Sequence, residues 1–197
     1  MRKVVVSMNV TLDGFMAGPD GELDWHFNYW NDEMAEAAAE QLSKADTILL
    51  GRITYRAMAL YWPYQAVNLS FARQDIAYAD MMNSYKKVVF SRTLAHLGWQ
   101  NSRVVNGGLK KEVQRLKKEK GKNIIIFGSG SIVSALIKSD LIDEYQLWVH
   151  PVLLGSGKPL FKNSKNKIQL NLFHQEKFSS GVTVYFYKPA RMTMFAK

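Results

Sequence analysis

Three short segments carry residue types suited to holding an anion. Gly128-Ser129-Gly130-Ser131 follows an apolar run, Asn123 to Phe127, and precedes a helical pattern, Ile132 to Lys138. Glycines let a backbone approach a ligand closely, and the first amides of a helix lack internal acceptors, which suits a phosphate. The spacing is not G-x-G-x-x-G, because position 133 is Val133. The same residues also read as a tight strand-to-helix turn capped by serine, and the two readings stand level. Gly51-Arg52-Ile53-Thr54-Tyr55 and Ser91-Arg92 set a guanidinium beside a hydroxyl just after apolar runs. That pair binds phosphate through charge and hydrogen bonds, although each segment alone also reads as an exposed polar end. Together the three imply a ligand with several phosphates, as a dinucleotide has.

Other chemistries find less in the sequence. There is no cysteine, which excludes thiolate metal sites, disulfides and a thiol nucleophile. No G-x-S-x-G occurs, and the four histidines, His26, His96, His150 and His174, lack metal-ligand spacing, so no metal is expected. Each histidine reads as hydrogen-bonded or superficial. His26 stands apart because Asp24-Trp25-His26 adjoins a glycine-punctuated stretch. Met8, Met16, Met34, Met58, Met81 and Met82 read as core filler.

The elements that must position these residues follow from patterning. Lys3–Met8, Thr47–Leu50, Lys87–Ser91, Val104–Val105, Asn123–Phe127 and Tyr145–His150 are short β-branched or apolar runs expected as strands. Asn31–Ala45 is expected as a helix with Asn31 as N-cap, Gly51-Arg52 to Met58 as a second with Pro63 just beyond it, and Ser70–Met82 as a third. Asn9–Trp25, broken by Asp13-Gly14, Gly18-Pro19 and Asp20-Gly21, reads as a loop with turns. Ile168–Lys177 and Val182–Lys188 flank Ser179-Ser180-Gly181 as a hairpin. Strand–helix alternation followed by a strand pair predicts an α/β fold: a mostly parallel central sheet flanked by helices, with an antiparallel hairpin at its edge. In such a sheet the segments after the strands converge on one edge.

The chain has 197 residues and a formal net charge of +9. That length suits one domain over 1–190, with 191–197 as a frayed tail. Seven basic residues lie between Lys110 and Lys122 against an apolar stripe of Leu109, Val113 and Leu116, so much of the charge reads as a solvated helix face. No aromatics interleave those charges, which disfavours nucleic acid as partner. No run of 18 apolar residues suggests a membrane span.

The motifs in their order resemble a known family. Ser7-Met8-Asn9-Val10-Thr11-Leu12-Asp13-Gly14-Phe15-Met16-Ala17, Asp24-Trp25, Leu50-Gly51-Arg52-x-Thr54-Tyr55, Phe90-Ser91-Arg92, Phe127-Gly128-Ser129-Gly130-Ser131 and His150-Pro151-Val152-Leu153-Leu154-Gly155-Ser156-Gly157 are similar to the dihydrofolate reductase-like superfamily. The nearer branch is the reductase domain of the bifunctional riboflavin-biosynthesis deaminase/reductase. The likeness runs from about Lys3 to Lys188.

This resemblance implies a dihydrofolate reductase-like fold and an NADPH-dependent reductase acting on a pteridine- or pyrimidine-like small molecule, as 5-amino-6-(5-phosphoribosylamino)uracil reductase does. By position, Gly51, Arg52, Thr54, Ser91 and Arg92 would meet the 2′-phosphate and pyrophosphate. Gly128, Ser129, Gly130, Ser131 and Ile132 would cradle the pyrophosphate. Asn9, Val10, Asp13, Phe15, Met16 and Ala17 would lie near the nicotinamide. Trp25, Leu153 and Lys158 are the candidates for substrate contact, Lys158 reading more readily as surface charge. The carboxylate that dihydrofolate reductase uses falls nearest Trp30 here, which argues against that activity; Asp32, Glu33 and His26 are the candidate proton donors. The zinc-deaminase signature is absent with the cysteines. A cytoplasmic homodimer is expected, its five Trp being counted as exposed aromatics that permit association. A nucleotide-binding module without catalysis, or a true dihydrofolate reductase, is the alternative.

Overall fold

Apolar runs too short for helices and rich in Val and Ile pair side by side in this chain. The computed structural model describes residues 1–65, 73–162 and 167–190. In chain order the elements are β1 (Val4–Thr11), β2 (Phe15–Ala17), α1 (Asp24–Phe27), α2 (Asp32–Ser43), β3 (Ala45–Gly51), α3 (Arg52–Gln65), α4 (Arg73–Ser84), β4 (Lys86–Phe90), β5 (Ser102–Val105), α5 (Leu109–Lys118), β6 (Asn123–Phe127), α6 (Gly130–Ile137), β7 (Glu144–His150), β8 (Lys158–Pro159), β9 (Leu170–Lys177) and β10 (Thr183–Pro189). The main sheet has the order β5-β4-β3-β6-β1-β7-β10-β9. Its first six strands are mutually parallel; β10 runs antiparallel to β7 and β9 antiparallel to β10. A separate antiparallel pair joins β2 to β8.

Helices cover both faces, which is why the central strands are apolar on both sides. Val4, Val6, Met8 and Val10 of β1 pack with Val113 and Leu116 of α5 and Ile132, Val133 and Leu136 of α6. On the opposite face Ile48, Leu50, Val89 and Ile125 meet Leu42, Tyr55, Met82 and Trp99. Beyond them, Met34 and Ala37 of α2 pack with Trp148, Phe178, Val182 and Val184. The methionines read as filler all sit in or against these clusters.

Several boundaries differ from the sequence reading. Asn31 is the N-cap of α2, its Oδ1 accepting from Met34 N at 3.0 Å, but Ala45 belongs to β3 rather than to the helix. Asn9–Thr11 is strand, because β7 pairs with it through Trp148, Val149 and His150. The stretch after it holds β2 and α1 rather than turns alone. Pro63 lies inside α3, not beyond it. Its missing N–H removes one helical bond, while the Trp62 carbonyl accepts from Asn83 Nδ2 at 3.0 Å, tying this end of α3 to α4. The third helix is described over Arg73–Ser84; residues 70–72 of its expected range, and the tail 191–197, lie outside the described residues.

Two expectations about side chains are corrected. Lys117 is not on a solvated face: it is buried and forms an ion pair with Asp143. Trp25, Trp99 and Trp148 are buried, so three of the five tryptophans are core rather than exposed aromatics. No described helix is long and apolar enough to cross a membrane.

Candidate functional site

Parallel pairing puts the carboxyl ends of β4, β3 and β6 side by side, so Ser91-Arg92, Gly51-Arg52 and Gly128–Ser131 share one edge. The packing there is close. A side chain at Gly51 would overlap Ser129, and one at Gly128 would come within 3.1 Å of Thr54 Cγ2. Gly128 has φ +70° and Ser129 φ +72°. The left-handed region costs a non-glycine residue about 1–3 kcal/mol and persists where the surroundings hold it. Here Gly128 N–H donates to Met8 Sδ at 2.9 Å, and the Ser129 carbonyl accepts from Ile132 N at 2.9 Å and Val133 N at 3.2 Å.

Ser129 occupies the N-cap position of α6 but makes no side-chain cap bond. Its Oγ lies 3.1 Å from Ser131 Oγ instead. The amides of Ser129, Gly130 and Ser131 find no acceptor among the described residues. Successive free amides at a helix start form a concavity for an anion. Arg52, half-buried at the start of α3, and Arg92, exposed beyond β4, form no ion pair among the described residues. Ser91 Oγ accepts from Thr93 N at 3.1 Å and Leu94 N at 2.9 Å, which shapes the turn carrying Arg92.

The loop leaving β1 is latched to the segment after β7. Thr11 Oγ1 donates to Asp13 Oδ1 at 2.5 Å, and Asp13 Oδ2 accepts from Gly155 N at 2.8 Å. The Thr11 hydroxyl, with the Gly155 and Leu154 amides, holds the Asp13 carboxyl below the usual carboxylate range. Phe15 and Ala17 pair with Pro159 and Lys158. Met16 reaches the other segment, since a side chain at Gly130 would come within 2.9 Å of its Cε. Val10 points into the core, and Leu153 is 71% exposed. Lys158 lies beside Gly21, and its charge helps to hold Glu22 below the usual range, after that residue's own backbone amide and those of Asp20 and Gly21.

The opposite face of β1 carries Ser7, Asn9 and Thr11, interleaved with the apolar core residues, and faces α1 and α2. There His150 Nε2 lies 3.2 Å from Asn9 Oδ1. Trp25, His26 and Tyr29 ring His150, with centroids at 5.2, 5.9 and 5.8 Å. Burial, and then the neighbouring His26, push His150 down to about 4; burial likewise lowers His26. Both imidazoles are therefore neutral at pH 7. Of the other candidate donors, Glu33 accepts from Ser179 N at 3.0 Å and Asp32 is exposed in the first turn of α2.

The sequence reading singled out Asn9, Trp25 and His26 but missed Gln41, Gln146 and His150 as members of this face. A signal existed. Gln146 and His150 fall four apart in a strand buried on both sides, so both point one way. Gln41 offered none, being one polar residue in a helix.

The model of the RibD C-terminal domain family matches residues 2–184. Uncharacterized protein YyaP of Bacillus subtilis (strain 168) is 36% identical over 186 residues, covering 94% of each chain. A putative riboflavin biosynthesis protein from Shewanella sp. PV-4 superposes with a TM-score of 0.74 at 24% identity, over 97% of this chain and 100% of that one. Dihydrofolate reductase from Enterococcus faecalis, solved with NADP(H), superposes with a TM-score of 0.63 at 11% identity, over 96% and 97%. The two structures establish a dihydrofolate reductase-like fold. From the sequence match over nearly the whole chain, the protein belongs to the RibD C-terminal domain family.

Proposed function

We propose that the protein is an NADPH-dependent reductase that delivers hydride to a C=N or C=O group of a pyrimidine- or pteridine-like small molecule, in the manner of 5-amino-6-(5-phosphoribosylamino)uracil reductase. The observation that carries the reading is the sheet edge shared by the Ser129–Ser131 amides, which find no acceptor among the described residues, and the segments of Arg52 and Arg92. Free amides suit a pyrophosphate, and a guanidinium beyond it suits a 2′-phosphate. NADPH, when bound, supplies the hydride. The chain's own residues orient and shield it. Arg52, Thr54, Ser91 and Arg92 would grip the phosphates, with Gly51 and Gly128 allowing close approach. The latched loop carrying Asp13, Phe15, Met16 and Ala17 would cover the reacting ring and exclude water. Among the candidate donors, His26 is our choice for the residue that holds a proton, supported by its place beside His150 and Trp25.

Thermal shift with NADPH and NADH tests the reading. NADPH should raise the melting temperature by mass action, and more than NADH at equal concentration. Arg52→Ala with Arg92→Ala should weaken NADPH binding about tenfold or more and leave NADH little changed, since each charged hydrogen bond is worth about 1.5–3 kcal/mol. Equal shifts with both dinucleotides, unaltered in the double variant, overturn the phosphate assignment. Binding without NADPH oxidation in the presence of ribosylamino-pyrimidines, dihydropterins or dihydrofolate supports a non-catalytic module instead.

A further inference from the structure

Five sealed side-chain polar atoms, on Trp25, His26, Gln41, Gln146 and His150, lack a partner among the described residues, and they lie on the α1–α2 face already described. Another polar group without a partner among the described residues lies on the opposite face of the sheet. Tyr145 of β7 stands beside Val6 and Tyr187 in register, and its ring joins the core cluster of α5 and α6. The residue is only 3% exposed. Its hydroxyl makes no hydrogen bond among the described residues, yet it is not sealed. Tyr145 lines a cavity of about 200 Å³. A buried hydroxyl nearly always has a partner, so this one is matched from outside the chain.

The cavity lies where α6 ends. The chain leaves that helix after Ile137, turns through Asp140 at φ +50° and enters β7 at Glu144. Ile137, Phe161, Ile168 and Leu170 line the cavity with Tyr145, so its wall is apolar. The Phe161 ring meets Tyr145 edge to face, with centroids 6.2 Å apart, and Phe161 and Ile168 are exposed. Lys138 and Lys162 share the lining, both exposed and neither in an ion pair among the described residues. Burial, and then the nearby Asp140, push the Tyr145 hydroxyl up to about 12, which leaves it a neutral donor at pH 7. Two ammonium groups against the one carboxylate of Asp140 leave an excess of a single positive charge.

We infer that this cavity is a second ligand site, which takes a small apolar monocarboxylate: one ring or a short chain lies against the apolar wall, and its carboxylate accepts from Tyr145 Oη and faces Lys138 and Lys162. Size sets the class. Pockets for drug-sized ligands hold about 300–1,000 Å³, so this one suits a single ring and is too small for a nucleotide. Charge sets the head group. One carboxylate matches the single excess charge of the rim, and the apolar wall gives the ligand body a place out of water. The site stands apart from the phosphate edge, which lies at the other end of α6, an eight-residue helix spanning about 12 Å. It is also across the sheet from His150. Nothing in it depends on the reductase reading.

An NMR titration of the full chain with phenylacetate tests the site, with phenylacetamide as the control for charge and acetate as the control for the ring. Phenylacetate should bind with a dissociation constant of about 1 mM or below. It should move the amide resonances of Lys138, Tyr145 and Phe161 and leave those of Gly128–Ser131 and His150 in place. Phenylacetamide should bind about fivefold more weakly and acetate about tenfold. Tyr145→Phe should weaken phenylacetate about tenfold, the effect of losing one hydrogen bond to a charged group. Its melting temperature should hold, because the hydroxyl removed has no partner among the described residues; a merely structural tyrosine would lose stability instead. Lys138→Gln with Lys162→Gln should weaken phenylacetate about fivefold and erase its advantage over phenylacetamide. NADPH and phenylacetate should bind together. The inference is overturned if phenylacetate does not bind, if its shifts fall at the phosphate edge or around His150, if NADPH displaces it, or if both variants bind it undiminished. Failure of NADPH to bind the wild type would overturn the reductase reading alone.

Discussion

His150 is a base that burial has stripped of its usual affinity for protons. In the unfolded chain its imidazole takes a proton near pH 6.5, and in the folded protein only near 4. Between those values the unfolded state holds more protons, so stability rises with pH and is lost on acidification through that window. The difference corresponds to about 3 kcal/mol at full effect. Denaturant unfolding should show wild type losing about that much more than His150→Gln between pH 6.5 and 4, and the His150 ring resonances should stay unshifted down to about pH 5. Equal acid sensitivity in the two proteins would contradict the burial argument. At this scale the sequence exposed the glycines, serines and arginines that share one sheet edge, because each group stands just after an apolar run expected as a strand. It did not expose the pairing of His26 with His150, which stand 124 positions apart and meet only because α1 folds back over the end of β7.

The strand-to-helix turns are the elements on which the proposed phosphate edge depends. Gly51 has no positive φ, so alanine there is conformationally easy, yet its Cβ would displace Ser129. Gly51→Ala should therefore cost little stability while deforming the turn that presents the free amides. NADPH affinity should fall about tenfold, or about 1.4 kcal/mol, and the melting temperature should change by a few degrees at most. Unchanged affinity would show that the Gly51–Ser129 approach has no part in the site. Element type was readable where periodicity was strong, as in β6, whose bounds match the expectation residue for residue. It was misread where pairing rather than propensity decides. Asn9, Val10 and Thr11 look like the start of a loop and become strand because β7 supplies their partners. Pro63 looks like a stop and is carried inside α3, where Trp62 packs against the second core cluster.

For the whole molecule, the sheet order leaves β9 at an edge, with its outer side unpaired among the described residues. Leu172 and Phe173 on it are 48% and 46% exposed. An eight-residue edge strand with exposed apolar side chains is a template for pairing with another chain. We propose that the homodimer implied by the resemblance forms there. Sedimentation velocity at micromolar concentration should give about twice the 22.5 kDa chain mass, and Leu172→Glu should shift it to monomer; a wild type that sediments as a monomer would refute the assignment. The net charge also looks different in three dimensions. Arg2 pairs with Asp46, Lys117 with Asp143, and Arg103 and Arg115 with Glu112, whose carboxyl the Arg115 and Arg103 hydrogen bonds hold down to about 2. Arg52 and Arg92 form no such pair among the described residues and remain available to a ligand.

The sequence by itself determined the α/β class, the edge on which the glycine and arginine segments gather, and the family, because local patterning and motif order are one-dimensional properties. Only the tertiary structure decided that Gln41, Gln146 and His150 form one seam with Trp25 and His26, and that Lys117 is buried. Those facts depend on strand order and helix placement, which bring distant positions into one low-dielectric space where an unpaired polar atom becomes costly.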